Sequence, residues 1–214
     1  MLQNILAVYL LSHIQILLYQ RHQLALVGEI MDGTINAHMH HIIKLTKVEK
    51  QFVDAIKENK EYLNASEGID LGAGGGRFSK ILCKYVKNLH SVDASDEAVA
   101  AMKKNLKGIK NIEIVKANKN SLPFEDRSID VVFAANSFHD VPIGYEKEIK
   151  RVLKPGGRFI DLDWKKEETE FGPPLKIRFS EEDVEGKMKR QSFRLVKKQD
   201  IGTHYLLIFS KKKA

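Results

Sequence analysis

An α/β fold built on a doubly wound, mainly parallel sheet is the architecture this 214-residue chain predicts. Three observations carry that expectation. From residue 48 onward, short apolar runs alternate with amphipathic stretches, as layered strands and helices require. The run Gly68-Ile-Asp-Leu71 leads into glycines at 72, 74, 75 and 76 and then into an amphipathic segment, which reads as a strand turning directly into a helix. A further apolar run, Leu89-His-Ser-Val-Asp93, ends on an acidic residue about 20 positions after the glycines.

The elements follow in order. Residues 2, 5, 6, 9, 10, 14, 17 and 18 are apolar at helical spacing. The segment lacks a basic start and a small-residue cleavage site, so a secretory signal is not expected. Gln3, Asn4, Ser12, His13 and Gln15 interrupt it, so no transmembrane segment is expected either. Surface-bound membrane helices carry basic residues on their polar face, and the first here is Arg21. Residues 1–45 are therefore expected to be a helical extension, serving as a packing, lid or dimer element, ahead of a domain at 46–214. His38, His40 and His41 have no Asp, Glu or Cys beside them, so no metal is expected.

Val48–Tyr62 is predicted helical from apolar positions 48, 52, 53 and 56. Strand one is expected at 67–71, a helix at 77–86 and strand two at 89–93. Ser95 is the candidate N-cap of a helix reaching Leu106. Strands three and four are placed at 112–116 and 129–134, with a helix at about 143–153. Pro155-Gly-Gly157 reads as the turn into strand five, 158–162. Ser180 is placed to cap a helix over 181–190. Runs at 193–199 and 203–210 are close enough for an antiparallel hairpin through Asp200-Ile-Gly202.

The glycine loop narrows the ligand. Glycines let a backbone take positive φ and approach a ligand closely, and they aim a helix N-terminus at it. Counting Gly-x-Gly-x-x-Gly from Gly72 puts Arg77 where the dinucleotide fingerprint needs its third glycine. Asp70, just before the loop, would repel a pyrophosphate but suits an ammonium. Asp93 suits ribose hydroxyls. A cationic nucleoside bearing an amino acid meets both requirements, which describes S-adenosylmethionine.

Six segments, in order, resemble the class I S-adenosylmethionine-dependent methyltransferases, specifically the broad family called type 11. They are Asp70-Leu-Gly-Ala-Gly-Gly-Gly76, Val92-Asp-Ala94, Ala117-Asn-Lys-Asn-Ser-Leu-Pro-Phe124, Ser128-Ile-Asp-Val-Val-Phe133 with Asn136-Ser-Phe-His139, Arg151-Val-Leu-Lys-Pro-Gly-Gly157, and Thr203-His-Tyr205. The resemblance covers about residues 45–214. It implies a Rossmann-like sheet of seven strands, mostly parallel with an antiparallel C-terminal hairpin, and helices on both faces. Ligands on such sheets bind beyond the carboxyl ends of the strands. That selects Asp70, Gly72, Ala73, Gly74, Gly76, Asp93, Ala94, Asn118, Lys119 and Asn136 for the cofactor, with Asp163 and Trp164 also at that edge. By resemblance, Asp70 holds the methionine ammonium, Asp93 the ribose hydroxyls, and Asn136 offers backbone near the methionine. Asn118 stands where the family commonly has Asp; its amide oxygen can still accept from the adenine amine. Residues 33–46 could contact substrate.

Methyl transfer needs mainly alignment, with a base only if the acceptor is protonated. His139 and Asp140, following strand four, are the candidates for that role; packing at the pocket is the alternative for His139. His204 and Tyr205 match the family on a late strand and are expected to shape the core or the pocket floor. Asn136-Ser-Phe-His139 lacks the Asn/Asp-Pro-Pro-aromatic pattern of enzymes acting on adenine in DNA or on glutamine. One cysteine, Cys83, is too few to hold a metalloid, rules out a disulfide framework and suits a reducing, cytoplasmic setting. A small-molecule acceptor is therefore expected, with a homodimer through the N-terminal helix possible and nucleic acid not required. The net charge is +7, most of it in residues 176–214. That leaves two alternatives open: a methyltransferase using this basic face on RNA or protein, and a cofactor-binding module without catalysis.

Overall fold

The computed structural model describes residues 49–118 and 120–213; the N-terminal extension, the histidines at 38–41 and Lys119 lie outside them. Helix α1 runs through 49–58 and a short α2 follows at Lys60–Leu63. The predicted single helix breaks at Asn59, whose side chain donates to Ala55 O at 2.7 Å and to Gln199 Oε1 at 2.8 Å. The rest alternates as β1 (Ala65–Leu71), α3 (Ser79–Leu82), β2 (Val86–Asp93), α4 (Asp96–Asn105), β3 (Ile112–Lys116), β4 (Ile129–Ala135), α5 (Glu146–Val152), β5 (Leu153–Trp164), α6 (Glu181–Arg190), β6 (Phe193–Ile201) and β7 (His204–Lys211). The seven strands form one sheet in the order β3-β2-β1-β4-β5-β7-β6. The first five are parallel and β7 is antiparallel to both its neighbours.

Strands buried on both faces read as nearly continuous apolar runs. β4 (Ile-Asp-Val-Val-Phe-Ala-Ala) and the Leu206–Phe209 stretch of β7 do so because both lie inside the sheet. Alternate residues divide the two layers. Phe159, Leu207 and Phe209 pack with Ile149, Val152, Val184 and Met188 of α5 and α6. Phe133 on the opposite face meets Phe78 at 6.1 Å, and Phe78 meets Phe52 of α1 at 6.0 Å.

Local chemistry shifts several predicted boundaries. The helix expected over 77–86 contracts to α3, because β2 begins at Val86, where the chain pairs with Ala65. Asn111 donates to the freed carbonyls of Cys83 and Val86 at 2.8 and 3.1 Å. Pro155-Gly-Gly157 does not precede a strand but lies within β5. The register with β4 jumps there from Ile129↔Leu153 to Val131↔Arg158, so the turn residues form a bulge in a longer strand. The hairpin turn falls at Gly202-Thr203, since Asp200 and Ile201 still pair with Tyr205 and His204. Asp200 Oδ1 accepts from Gly202 N at 2.7 Å and so sets the bend.

Both predicted caps form. Ser95 accepts from Ala98 N, and Ser180 and Asp183 make a reciprocal capping box. Ser180→Ala is expected to lower stability by about 1 kcal/mol, seen as a lower urea midpoint at unchanged slope.

Candidate functional site

Strand order reverses at β1 and β4, whose onward connections leave in opposite directions, and the crevice beyond their carboxyl ends is where such sheets bind ligands. The glycine loop lies there. Gly72 N and Ala73 N both donate to Val92 O, at 2.9 and 3.0 Å, which ties the loop to the end of β2. Gly72, Gly74 and Gly76 all have positive φ. The cost of a side chain differs along the loop. A Cβ on Gly72 would lie 2.6 Å from Ser137 Cβ, whereas one on Gly74 meets nothing within 4 Å. Gly72 is therefore where loop and β4 close together, and Gly74 is where the loop opens toward a ligand.

Asp93 joins loop and helix. Its Oδ2 accepts from Gly74 N and its Oδ1 from Ser95 N, each at 2.9 Å. Each carboxylate oxygen keeps a second lone pair for an outside donor. Ala94 follows, half-buried, at the turn into α4.

Asp70 lies lower than its expected role implies. It is 1% exposed, and its Oδ2 accepts from Ser79 Oγ at 2.6 Å, with Ser91 Oγ behind at 2.8 Å from Ser79. The carboxyl is thus beneath the loop, held by the helix that follows it. Burial pushes it up to about 7, against the pull of the Ser79 hydroxyl, and the negative charge of Asp93 adds to the rise. Ser79 was missed from sequence; the signal is a hydroxyl one turn past a glycine loop that follows a buried acid.

Asn118 is exposed past the end of β3, and its Oδ1 accepts from Asn120 N at 2.9 Å. One acceptor position of the amide is therefore used by its own loop. Asn136 takes φ 53 after β4, donates its N–H to Leu162 O at 2.8 Å, and keeps a buried Oδ1 without a partner. Ser137 Oγ donates to Leu71 O at 2.6 Å, locking the ends of β1 and β4.

The two expected catalytic residues are unequal. The His139 ring is nearly enclosed, and its Nδ1 lies 2.8 and 2.9 Å from the two oxygens of Asp163. Asp140 is 69% exposed in its side chain, with Oδ2 3.5 Å from His139 Nε2. Burial opposes charge on His139, yet Asp163 overrides it and holds the imidazole above its ordinary value. His204 has the opposite fate on the other sheet face. It is fully buried between Trp164, at 3.9 Å, and Phe52, at 4.5 Å, and burial aided by Arg178 pushes it down to about 3. It is a neutral core histidine beside Tyr205, as expected.

Arg178 shapes the rim. Its guanidinium donates to the carbonyls of Pro173, Lys165 and Glu167 and to Thr169 Oγ1, and lies 5.0 Å from the Trp164 ring. The segment 165–173 is thereby folded over the end of β5.

A hollow of about 530 Å³ lies elsewhere, at the opposite end of the strands around Ser66, Lys87, Asp130 and Lys154. It holds none of these groups. Among the described residues no cluster of His, Cys, Asp and Glu suits a metal ion, and no helix is long and apolar enough to cross a membrane.

A family model described as a methyltransferase domain, the type 11 one, matches residues 69–161. A solved S-adenosylmethionine-dependent methyltransferase from Aquifex aeolicus is 28% identical, with TM-score 0.67 over 77% of this chain and 96% of that one. A solved structure assigned to the type 11 methyltransferases, from Sulfolobus solfataricus, is 30% identical, with TM-score 0.61 over 71% of this chain and 86% of that one. A demethylmenaquinone methyltransferase of Staphylococcus saprophyticus is 31% identical over 105 residues, 47% of this chain and 45% of that protein. The chain spans less than half the length of the curated relatives it matches. The chain belongs to the class I methyltransferases of the type 11 family.

Proposed function

We propose that this protein transfers a methyl group from S-adenosylmethionine to a small-molecule acceptor. The observation that carries the reading is the pairing of an open Gly74 with a carboxylate, Asp93, that retains free lone pairs at the switch point of the sheet. The donor set fits the ligand. Asp93 can take ribose hydroxyls, the loop can lie against ribose and methionine, and Asn136 offers a buried, unpartnered amide oxygen near the methionine end. Asp70 acts from below the loop, its ionised form favouring a cation there, rather than by direct contact. When bound, the sulfonium supplies an activated methyl carbon that leaves sulfur with the bonding pair staying on sulfur. The chain's own task is to align the acceptor, exclude water and handle any proton.

Small-molecule specificity is supported by the relative that acts on demethylmenaquinone. Two cations of the basic C-terminal region are engaged within the fold. Lys198 lies within 4 Å of Glu181, Glu182 and Glu185, and Lys211 Nζ is spent on the carbonyls of Lys150 and Leu153. An RNA or protein acceptor would need such cations available.

Titration calorimetry tests the donor. Wild type is expected to bind S-adenosylmethionine, and Asp93→Ala to bind it about 30-fold more weakly, the loss of charge-assisted hydrogen bonds worth about 2 kcal/mol. Equal affinity in the variant, or no binding to wild type, would overturn the assignment. Labelled methyl transfer into the small-molecule fraction of source cells, rather than into RNA or protein, tests the acceptor class.

A further inference from the structure

The end of β5 carries two carboxylates that donor binding leaves unexplained. Asp161 and Asp163 are alternate residues on one face of the strand, 0% and 2% exposed. Carboxylates are rarely buried so fully without partners, and these two are partnered very differently. Asp163 receives the His139 ring on both oxygens, together with Trp164 N at 2.8 Å and His139 N at 3.3 Å. Asp161 has the Tyr205 hydroxyl at 3.4 Å on one oxygen and no partner on the other. Burial, and then the charge of Asp163, push Asp161 well above the usual carboxylate range.

We propose that Asp163 is a positioning residue: it accepts a hydrogen bond from the Nδ1–H of His139 and so leaves Nε2 as the unprotonated nitrogen, facing the rim of the site. This rests on the methyl-transfer reading and deepens it. Nδ1 points into the buried end of β5, while Nε2 points toward the rim, where Asp140 is exposed. A base held by a buried acid on one ring nitrogen, with the other turned toward the rim, has the arrangement that general-base catalysis needs.

The remaining charged groups around His139 do not compete. Arg178 lowers its basicity slightly, but its donors are committed to carbonyls and Thr169. His204, on β7, faces the other layer and stays neutral. Asp140, on His139's own 3-10 turn, adds a weaker attraction from solvent.

The proton balance follows. As the acceptor atom bonds to the methyl carbon, Nε2 accepts the proton that this atom sheds. Asp163 neutralises the resulting imidazolium, and the proton then passes to water at the Asp140 rim. An acceptor that starts as a neutral O–H, N–H or activated C–H compound needs this service, and one that is already a bare nucleophile does not.

Side-chain ¹⁵N NMR of the full-length protein against pH tests the proposal, with the His139 signals assigned by their loss in His139→Gln. Neutral wild-type His139 is expected to carry its proton on Nδ1, with a titration midpoint above the ordinary histidine value. Asp163→Asn is expected to move that midpoint down by about one pH unit or more and to remove the preference for Nδ1, while Asp161→Asn leaves both unchanged. The initial rate of labelled methyl transfer into the source-cell small-molecule extract is expected to fall at least tenfold in D163N, with the donor Kd unchanged. A wild-type proton on Nε2, an unmoved titration or rate in D163N, or an equal shift in D161N would each overturn the proposal. Should D163N fail to fold, the wild-type tautomer decides alone. Calorimetry with S-adenosylmethionine reports separately on the methyl-donor reading, so an intact tautomer without donor binding would refute the function and not the positioning.

Discussion

Gly72→Ala is expected to destabilise the protein by about 2–5 kcal/mol, whereas Gly74→Ala, two residues away, costs about 1 kcal/mol of stability and removes donor binding. At Gly72 two penalties combine. A φ of +67 is left-handed backbone, costing an alanine about 1–2 kcal/mol. The new methyl would also lie 2.6 Å from Ser137 Cβ. That atom is fixed to its own backbone, and Ser137 Oγ is engaged with Leu71 O, so relief requires β1 and β4 to part at about 1–3 kcal/mol. At Gly74, φ is +53 but no atom stands within 4 Å, so the fold feels mainly the dihedral. The space that a methyl would fill is the space proposed for the donor. Calorimetry with S-adenosylmethionine is expected to show at least a 100-fold loss, about 2.7 kcal/mol. Urea unfolding of both variants separates the two effects, and a G74A protein that binds normally would show that the ligand does not approach there.

Asp70→Asn is expected to raise the stability of the ligand-free protein at pH 8 by on the order of 2–4 kcal/mol and to abolish a pH dependence that wild type shows. Burial pushes the folded carboxyl up to about 7, well above the ordinary aspartate range. A group whose folded value is raised binds its proton more tightly when folded. Its contribution is complete below the unfolded value, near pH 4, and is lost as pH rises through about 7. Wild type should therefore lose stability between about pH 4 and 7, and D70N should lack that part of the slope. Ligand binding runs the other way. A cationic donor favours the ionised carboxylate, so wild-type affinity falls as pH drops below about 7, while D70N binds weakly at every pH. Urea midpoints and calorimetry from pH 5 to 8 measure both trends.

Much of the site proposed for the donor is legible in the sequence because its chemistry is local. A loop that needs positive φ requires glycine, so Gly72, Gly74 and Gly76 announce it, and an acid at the end of the next strand marks Asp93. Ser95 and Ser180 announce helix starts through the hydroxyl each presents to backbone N–H groups three residues on. The boundaries that moved are those settled by sheet register. Helix spacing continues through Val86, but pairing with Ala65 outweighs one turn of helix. Likewise the hairpin bends at Gly202, because the β7 register keeps Asp200 and Ile201 in the ladder.

The residues proposed to handle a proton are only partly legible in the sequence. Asp163 was placed at the binding edge by its position after strand five, yet its partner could not be inferred, since His139 is 24 residues earlier. Two acids alternating inside an apolar strand are a usable warning, because burial there demands a partner. The depth of Asp70 was hidden for the same reason, as Ser79 and Ser91 reach it from a different helix and strand.

What the sequence determined alone is whatever acts within a few residues: strand and helix alternation, glycine-dependent loop shape, helix caps and the acidic residues that follow parallel strands. The tertiary structure alone decided which partner each buried carboxylate meets. Asp70, Asp161 and Asp163 are chemically identical in the chain. They differ because the first is buried against a serine, the second against a distant tyrosine hydroxyl, and the third against an imidazole able to share its charge. Burial and partner distance set the ionisation of a carboxylate, and neither is defined until the sheet has closed.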